Sequence, residues 1–220
     1  MADEPRDFWS RVAPRYDRVV DLQIGLRTRA MVRERVAREG RLGGVAELGC
    51  GTGFFTETLA GKADSLVATD LSPGMLELAH ARVRAPNVTF QAEDCEGTTW
   101  PSEAFDTAFI SLAIHFTEPV RTQAEMRRIL KPGGTLIVVN LDPRALGGLD
   151  RVRCLIRVGC RGLTGYRTKP PKGFGRGVVT EKELRDLLGQ SGFTVVSGET
   201  IKDPSRSSNI PLEYVRATTA

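Results

Sequence analysis

The chain has 220 residues, which is enough for one sizeable hydrophobic core but short for two independent domains. Hydrophobic residues make up 40% of it and charged residues 26%, ordinary globular values that argue against disorder. No run approaches the roughly 18 uncharged apolar residues of a membrane-spanning helix, and the charged N-terminus lacks the apolar stretch of a signal peptide. We therefore expect a single domain over residues 1–220, located in the cytoplasm.

The positions of the cysteines and of the charged residues further restrict the kinds of site that we expect. The four cysteines form no Cys-x-x-Cys pair and only two histidines are present, so no recognised metal-ligand spacing occurs and we expect no metal. The net charge is +4, yet residues 144–176 contain nine basic residues and Asp150 as the single acidic one. The excess of positive charge therefore lies in this one segment, and its function has to be explained separately.

The first 40 residues are predicted to be helical and to cover the rest of the domain. Apolar side chains recur at spacings of three and four, at Phe8, Trp9, Val12 and Tyr16. Pro14 falls inside this pattern and should end or kink the first helix, because proline cannot donate a backbone hydrogen bond. A second helix, rich in arginine, is predicted from Gly25 to Glu39.

Short apolar runs then alternate with helical runs of about ten residues. Strands are predicted at residues 45–49, 65–70, 87–91, 105–112 and 135–140, and helices at residues 52–59, 72–83 and 118–130. Ser72 and Pro73 are typical N-cap and first-turn residues, and the Lys131-Pro-Gly-Gly134 run should end the third of these helices. Such alternation predicts right-handed crossovers and a parallel sheet covered on both faces.

The C-terminal part closes the sheet differently. Thr180-x-x-Glu183 is a capping box that begins a helix ending near Gln190, and Gly192 should stop it. Residues 193–196 and 212–218 are predicted as two strands with no helix between them, which indicates an antiparallel hairpin. The predicted fold class is therefore α/β, with a doubly wound, mostly parallel seven-stranded sheet and a terminal antiparallel hairpin.

A glycine-rich turn, Glu47-Leu-Gly-Cys-Gly-Thr-Gly53, follows the first strand. A dinucleotide-binding turn has the spacing Gly-x-Gly-x-x-Gly, which leaves a helix N-terminus open to a pyrophosphate. Here the spacing is Gly-x-Gly-x-Gly, and Glu47 would repel a phosphate but attract an ammonium group. Asp70 ends the next strand, where a carboxylate accepts hydrogen bonds from a ribose diol. The two carboxylates together indicate a nucleoside joined to a cationic amino acid.

These motifs, with Lys131-Pro-Gly-Gly-Thr135, resemble those of class I S-adenosylmethionine-dependent methyltransferases, which have a Rossmann-like fold. More narrowly, the chain is similar to the ubiquinone/menaquinone-biosynthesis type and related small-molecule enzymes. Residues 12–17 and 93–106 carry this closer resemblance, which covers residues 8–140 well and residues 180–196 loosely. The basic residues 144–176 have no counterpart in it.

The resemblance implies that the cofactor is S-adenosylmethionine and that its product is S-adenosylhomocysteine. It also implies a set of binding residues. Glu47 would orient the methionine end, which Gly49, Cys50, Gly51 and Gly53 would line. Asp70 would hold the ribose, and Leu71, Asp94 and Cys95 would contact the adenine. Ser111 and Leu112 would lie beside the sulfonium, with Tyr16 as a covering residue.

Catalysis is expected to need little beyond positioning, because methyl transfer from a sulfonium is an in-line displacement. His115 follows the fourth strand, where the acceptor should approach, and is the candidate general base or polar clamp; a loop histidine without a role is the alternative. Tyr16 could equally serve core packing beside Trp9. Cys50 lies between two glycines, and we interpret it as a residue that fits there because its side chain is small, rather than as a reactive thiol.

The acceptor is expected to be a small molecule. The rival classes are a nucleic-acid or protein methyltransferase that uses the basic segment, and a non-catalytic partner protein that binds S-adenosylmethionine. Residues 111–116 lack the Asn/Asp-Pro-Pro-aromatic clamp used on base amino groups, which argues against nucleic acid. The basic residues 144–176 are predicted to form a lid over the acceptor site; a peripheral membrane contact, a phosphate-binding patch or a solvated helix are the alternatives.

Overall fold

A computed structural model describes residues 5–142, 146–150, 152–153, 180–206 and 209–220. The predicted lid over residues 144–176 therefore lies mostly outside the described residues and stays a prediction. Among the few described residues of this segment, Leu146 is buried, whereas Leu149 and Val152 are exposed. Within the described ranges, no helix is both long and apolar enough to cross a bilayer.

The N-terminal helices form as the sequence predicts. Helix α1 spans Pro5–Val12, a 3₁₀ turn spans Ala13–Arg15, and helices α2 and α3 span Tyr16–Ile24 and Leu26–Ala37. The 3₁₀ turn lies at Pro14, whose missing N–H interrupts the α-helical hydrogen bonds. Gly25, with φ of +86°, turns the chain between α2 and α3.

A seven-stranded sheet forms the centre of the described part of the chain. The strands are β1 Gly43–Leu48, β2 Ala63–Asp70, β3 Val88–Ala92, β4 Phe105–Ser111, β5 Leu130–Leu141, β6 Phe193–Ile201 and β7 Leu212–Thr219. Their order is β3-β2-β1-β4-β5-β7-β6, with β7 antiparallel to both β5 and β6 and all other pairs parallel. The predicted fold class, including the terminal hairpin, is confirmed.

Helices cover both faces of this sheet. Further helices are α4 Thr56–Ala60, α5 Pro73–Arg82, α6 Pro119–Ile129 and α7 Glu181–Gln190. Neighbouring residues of β4 point into different cores: Phe109 packs with α3 and α4 side chains, and Ile110 packs with α6 and α7 side chains. This alternation is what a strand buried on both faces requires. Packing on both faces therefore holds the ends of the strands at fixed positions.

Three predicted boundaries were wrong. Helix α4 begins at Thr56 rather than Thr52, because the backbone from Gly51 to Phe55 continues as a turn in which Gly51 and Gly53 have positive φ. Residues 131–134 belong to β5 instead of closing α6, since Leu130 already pairs with Phe105. Strand β6 runs on to Ile201 because its partner β7 extends equally far.

The predicted helix caps are present. Ser72 Oγ accepts a hydrogen bond from the Met75 amide at 3.2 Å, with Pro73 in the first turn of α5. Thr180 and Glu183 form the reciprocal capping box of α7. Gly192, with φ of +78°, follows the end of that helix.

Candidate active site

A cavity of about 280 Å³ lies at the carboxyl ends of the parallel strands, where open α/β sheets bind ligands. Its walls come from the turn after β1, the end of β2, the loops after β3 and β4, and the N-terminal helices. The lining residues are Pro5, Trp9, Tyr16, Gly49, Gly51, Asp70, Leu71, Met75, Glu93, Asp94, Cys95, Glu96, Leu112, Ala113, Phe116 and Thr117. We call it the larger cavity.

The glycine turn exposes bare backbone to this cavity. A Cβ at Gly49 would lie 2.8 Å from the Ala113 Cβ, and one at Gly51 would lie 3.4 Å from Tyr16 Cε1. Both residues have positive φ, so a side chain there would also strain the backbone. Gly53 also allows close packing, because a Cβ there would approach Ala79 Cα to 3.1 Å where the turn meets α5.

Glu47 lies beneath the turn rather than on the cavity wall. It is only 2% exposed, and its Oε2 atom has no hydrogen-bond partner among the described residues. Burial raises the pKa of Glu47 to about 8; the nearby Thr56 hydroxyl opposes the shift and the charge of Asp70 adds to it. A buried carboxyl without a protein cation is costly as an anion, and a cationic ligand would relieve that cost.

Asp70 lines the larger cavity and also holds the glycine turn in place. Its Oδ2 accepts the Gly51 amide and its Oδ1 accepts the Ser72 amide, both at 2.9 Å. Burial raises the pKa of Asp70 to about 6, and the two amide hydrogen bonds partly offset this. Each oxygen keeps a further lone pair for a ligand hydroxyl.

The loop after β3 is anchored to α6. Asp94 is exposed at the cavity rim, and its Oδ1 accepts the Glu96 amide at 2.9 Å. Glu96 Oε1 in turn accepts the Glu118 amide, at the start of α6, at 2.8 Å. Further along the loop, Arg128 Nη1 donates to the Trp100 carbonyl oxygen at 2.7 Å. These bonds keep the loop, and with it Asp94 and Cys95, at the cavity wall.

The N-terminal helices cover the cavity through aromatic and hydroxyl contacts. The Trp9 ring packs edge-on against Phe116, with centroids 4.7 Å apart, and against Tyr16 at 6.2 Å. Ser10 Oγ lies 2.9 Å from Ser72 Oγ, which joins α1 to the start of α5. Burial raises the pKa of Tyr16 to about 12, so its hydroxyl stays protonated.

An ion-pair network that the sequence reasoning missed fixes this cover to the glycine turn. Arg29 is 2% exposed and donates to Asp17 Oδ1 at 3.0 Å and to Asp21 Oδ1 at 2.7 Å. Thr52 Oγ1 donates to Asp17 Oδ1 at 2.9 Å, and Arg82 of α5 also hydrogen-bonds Asp17. No local pattern could reveal the network, because its members lie up to 65 residues apart along the chain.

A second, smaller cavity of about 60 Å³ lies beside the first. It is lined by Trp9, Val12, Tyr16, Val19, Val20, Gln23, Ile24, Leu112, His115, Phe116 and Leu141. His115 is buried, its Nδ1 has no hydrogen-bond partner within the described ranges, and burial lowers its pKa to about 4. Leu112 has φ of +56°, a strained value for a bulky residue, and lines both cavities.

The structure thus collects part of the predicted set at the larger cavity. Its wall includes Tyr16, Gly49, Gly51, Asp70, Leu71, Asp94 and Cys95. It does not include Glu47, Cys50, Gly53, Ser111 or His115. The Ser111 hydroxyl is buried and unpaired in the described part of the chain, and burial raises the pKa of the Cys50 thiol well above its usual range. Trp9 and Phe116, which the sequence reasoning did not assign to the site, line both cavities.

Comparison with known proteins agrees with this geometry. A family model described as a methyltransferase domain matches residues 46–138. A demethylmenaquinone methyltransferase of Renibacterium salmoninarum is 33% identical over 148 residues, which cover 66% of this chain and 62% of that protein. A malonyl-[acyl-carrier protein] O-methyltransferase of a Paenibacillus species is 26% identical over 183 residues, covering 79% and 63%. The chain therefore spans about three fifths of the length of these relatives.

A solved structure is similar over nearly the whole chain. The crystal structure of a methyltransferase from Thermotoga maritima, described as S-adenosylmethionine-dependent and as a possible histamine N-methyltransferase, has a TM-score of 0.65 and 27% identity. The match covers 97% of this chain and 99% of that one. The sheet order, the glycine turn with its two carboxylates, and these likenesses lead to one conclusion: the chain is similar to class I S-adenosylmethionine-dependent methyltransferases, enzymes of the quinone-biosynthesis type among them.

Proposed function

We propose that the protein transfers the methyl group of S-adenosylmethionine to a small-molecule acceptor. The observation that carries this proposal is the larger cavity, where bare glycine backbone meets Asp70. Beneath the turn, one carboxyl oxygen of Glu47 has no hydrogen-bond partner among the described residues. Glu47 is buried and Asp70 is half-buried, and two such carboxyls with raised pKa values suit a ligand that brings its own positive charge. A nicotinamide dinucleotide, with its anionic pyrophosphate, suits this arrangement poorly.

Each part of the cofactor has a matching group in the proposed site. The Glu47 carboxylate would attract the ammonium group, and the backbone at Gly49 and Gly51 would lie against the methionine chain. The Asp70 carboxylate would accept hydrogen bonds from the ribose diol. Leu71 and Cys95 would contact the adenine, with Asp94 accepting a hydrogen bond from its amino group. Ser111 would lie near the sulfonium, although it is absent from the wall of the larger cavity.

The chain's own contribution is positioning and exclusion of water. When bound, S-adenosylmethionine would supply a methyl group that its sulfonium makes open to displacement by a lone pair of the acceptor, with the sulfur as the leaving group. Trp9 and Tyr16 would exclude water from above, while the glycine turn orients the reacting atoms. Where the acceptor has to lose a proton, neutral His115 is the proposed group that receives it or directs it to solvent.

Calorimetry with S-adenosylmethionine and S-adenosylhomocysteine tests the cofactor assignment, with NAD as the comparison. We expect both adenosyl compounds to bind and NAD not to bind. Transfer of label from labelled cofactor to a panel of quinols, phenols, amines, thiols and lipids then tests the reaction. Binding of NAD alone would overturn the cofactor assignment, and cofactor binding without transfer to any acceptor would support a non-catalytic partner protein.

A membrane contact through residues 144–176 and a cytoplasmic location both stay predictions. The first depends on residues that lie mostly outside the described ranges. Binding of the full chain to anionic vesicles, compared with a variant in which Arg153, Arg157 and Arg161 are neutralised, tests it directly. Equal vesicle binding by the two proteins would show that these arginines make no membrane contact.

A further inference from the structure

Glu47 is a buried carboxyl group without a protein cation in the described part of the chain. It is 2% exposed, and its Oε2 atom has no hydrogen-bond partner among the described residues. The guanidinium groups of Arg29 and Arg82, beside the glycine turn, are both hydrogen-bonded to Asp17 instead. A carboxylate that is removed from water without an opposite charge is strongly disfavoured. Without a ligand, Glu47 is therefore expected to carry its proton at neutral pH.

The groups that face Glu47 favour this protonated state. Asp70, at the end of β2, adds a negative charge, and the Cys50 thiol of the turn stays protonated because burial raises its pKa well above its usual range. On the side of the N-terminal helices, the Tyr16 hydroxyl also keeps its proton. The Thr56 hydroxyl of α4 favours the carboxylate, but burial outweighs it and raises the pKa of Glu47 to about 8.

The position of Glu47 allows a ligand to supply the missing positive charge. Glu47 lies near the end of β1, directly before the turn whose residues Gly49 and Gly51 line the larger cavity. Two residues span at most about 7 Å of chain, so backbone at the cavity wall lies close to Glu47. An ammonium group that lies against this backbone would interact with the carboxyl group at short range, and an opposite charge at short range favours the carboxylate.

We propose that Glu47 links cofactor binding to proton release: an adenosyl ligand with an ammonium group displaces the Glu47 proton to solvent, whereas a nucleoside without one leaves it in place. The proposal rests on the proposed function, because it takes the larger cavity as the cofactor site. It adds a change of state at Glu47 between the free and the bound protein. The single bond that breaks is the O–H bond of Glu47, and the carboxylate keeps the electron pair.

Proton release makes the affinity depend on pH in a defined direction. The free protein holds a proton on Glu47 that the complex lacks, so raising the pH favours the complex. The affinity for a ligand with an ammonium group should therefore rise from pH 6 to pH 8. It should level off above pH 8, because Glu47 then has no proton left to release.

Calorimetry in buffers of different ionisation enthalpy counts the protons that binding releases. The matched ligands are S-adenosylhomocysteine and 5′-methylthioadenosine, which share the nucleoside and the thioether but differ in the amino-acid end. Asp70 would meet the same ribose in both ligands, so the difference between them reports Glu47. At pH 7 we expect S-adenosylhomocysteine to release about 0.9 proton more than 5′-methylthioadenosine. The ratio of the two affinities should rise about ninefold from pH 6 to pH 7.

Two substitutions identify the group that releases the proton. Glu47→Gln removes the titration and keeps the size of the side chain, so the difference between the two ligands should fall below about 0.2 proton. Asp106→Asn is the matched control, because Asp106 is hydrogen-bonded to Lys131 and Gly44 and lines neither cavity. This variant should release as many protons as the natural chain.

Either of two results would overturn the proposal: equal proton release by the two ligands in the natural chain, or an unchanged difference between them in Glu47→Gln. If Glu47→Gln binds too weakly to measure, the comparison of the two ligands in the natural chain decides. Failure of S-adenosylhomocysteine to bind the natural chain would overturn the proposed function and the proposal with it. Proton release by that ligand without methyl transfer to any acceptor would uphold the proposal and contradict the proposed reaction.

Discussion

At the carboxyl end of β2, Asp70 is half-buried and accepts two backbone amides, and partial removal from water raises its pKa to about 6. Near the amino end of β4, Asp106 accepts the Lys131 ammonium at 2.8 Å and the Gly44 amide at 2.7 Å. The hydrogen bond from Lys131, then that from Gly44, holds the pKa of Asp106 below its ordinary value. The aspartate at the carboxyl end of the sheet, Asp70, thus keeps hydrogen-bonding capacity for a ligand. The aspartate at the other end, Asp106, is neutralised by a lysine.

This difference separates two sets of carboxylates. Those of the ligand-serving set are available to bind a ligand, and those of the fold-serving set are paired with protein groups and stabilise the fold. Asp17 belongs with Asp106: burial alone would raise its pKa, but hydrogen bonds from Arg82, Thr52 and Arg29, with the charge of Arg29, bring it below the ordinary value. Glu47 belongs with Asp70, because its buried Oε2 is unpaired within the described ranges. Substitutions in the fold-serving set should change stability, and those in the ligand-serving set should change cofactor affinity.

The largest effect is expected for Asp17→Ala. It removes the acceptor of Arg29, Arg82 and Thr52 and leaves the buried guanidinium of Arg29 with Asp21 as its remaining carboxylate partner among the described residues. Breaking such a pair costs about 3 kcal/mol of unfolding free energy, which urea denaturation measures. Asp21→Ala, which removes one hydrogen bond to Arg29, should cost only about 1 kcal/mol. Equal losses from the two substitutions would mean that Asp17 does not organise the network.

Asp70→Ala should lower S-adenosylmethionine affinity by about 1.5–3 kcal/mol, the scale of hydrogen bonds to a charged group. Calorimetry measures this change. Asp106→Ala is the matched control at the opposite end of the sheet, and it should leave cofactor affinity unchanged. If Asp70→Ala instead lowers only the melting temperature, its hydrogen bonds to Gly51 and Ser72 are its whole contribution.

Glu47→Gln should have opposite effects on stability and affinity. The folded-state pKa of Glu47 is raised from 4.5 to about 8, so its stabilising contribution is present at pH 4 and is lost as pH rises towards 8. Without ligand, the variant should therefore gain stability over the natural chain as pH rises from 4 to 8. Its cofactor affinity should fall by about 1–2 kcal/mol. Parallel pH profiles for the two proteins would contradict a buried, ionisable Glu47.

The smallest effect is expected for Lys131→Met. The Lys131–Asp106 pair is about half exposed, and such pairs contribute roughly 0–1 kcal/mol. Because the pKa of Asp106 lies below 3.8, this contribution is present at pH 7 and is lost as pH falls through the lowered value. The stability difference between Lys131→Met and the natural chain should therefore shrink in acid, and cofactor affinity should not change. A loss of affinity would show that the two ends of the sheet are coupled.

Local chemistry made much of the fold predictable. Pro14 interrupts a helix, Ser72 caps another and Thr180 with Glu183 caps a third, because each acts on backbone groups within a few residues. The alternation of strands and helices predicts a parallel sheet for a similar reason, since each crossover follows from the handedness of the chain. The glycine turn and Asp70 lie together at one edge of the sheet, as expected, because parallel strands end together.

Contacts between distant parts of the chain decided the rest. The placement of β7 between β5 and β6 follows from side-chain packing on both faces, which no single segment encodes. Gly53 turned out to pack against Ala79 of α5, and Arg82 reaches Asp17 across 65 residues. The smaller cavity forms where α1, α2 and the loop after β4 meet, so the described residues that line it share no pattern in any one stretch of sequence. The sequence alone determined the cofactor chemistry at the carboxyl edge of the sheet, because the motifs that carry it are local. The packing of the N-terminal helices decided that a second cavity lies beside the first.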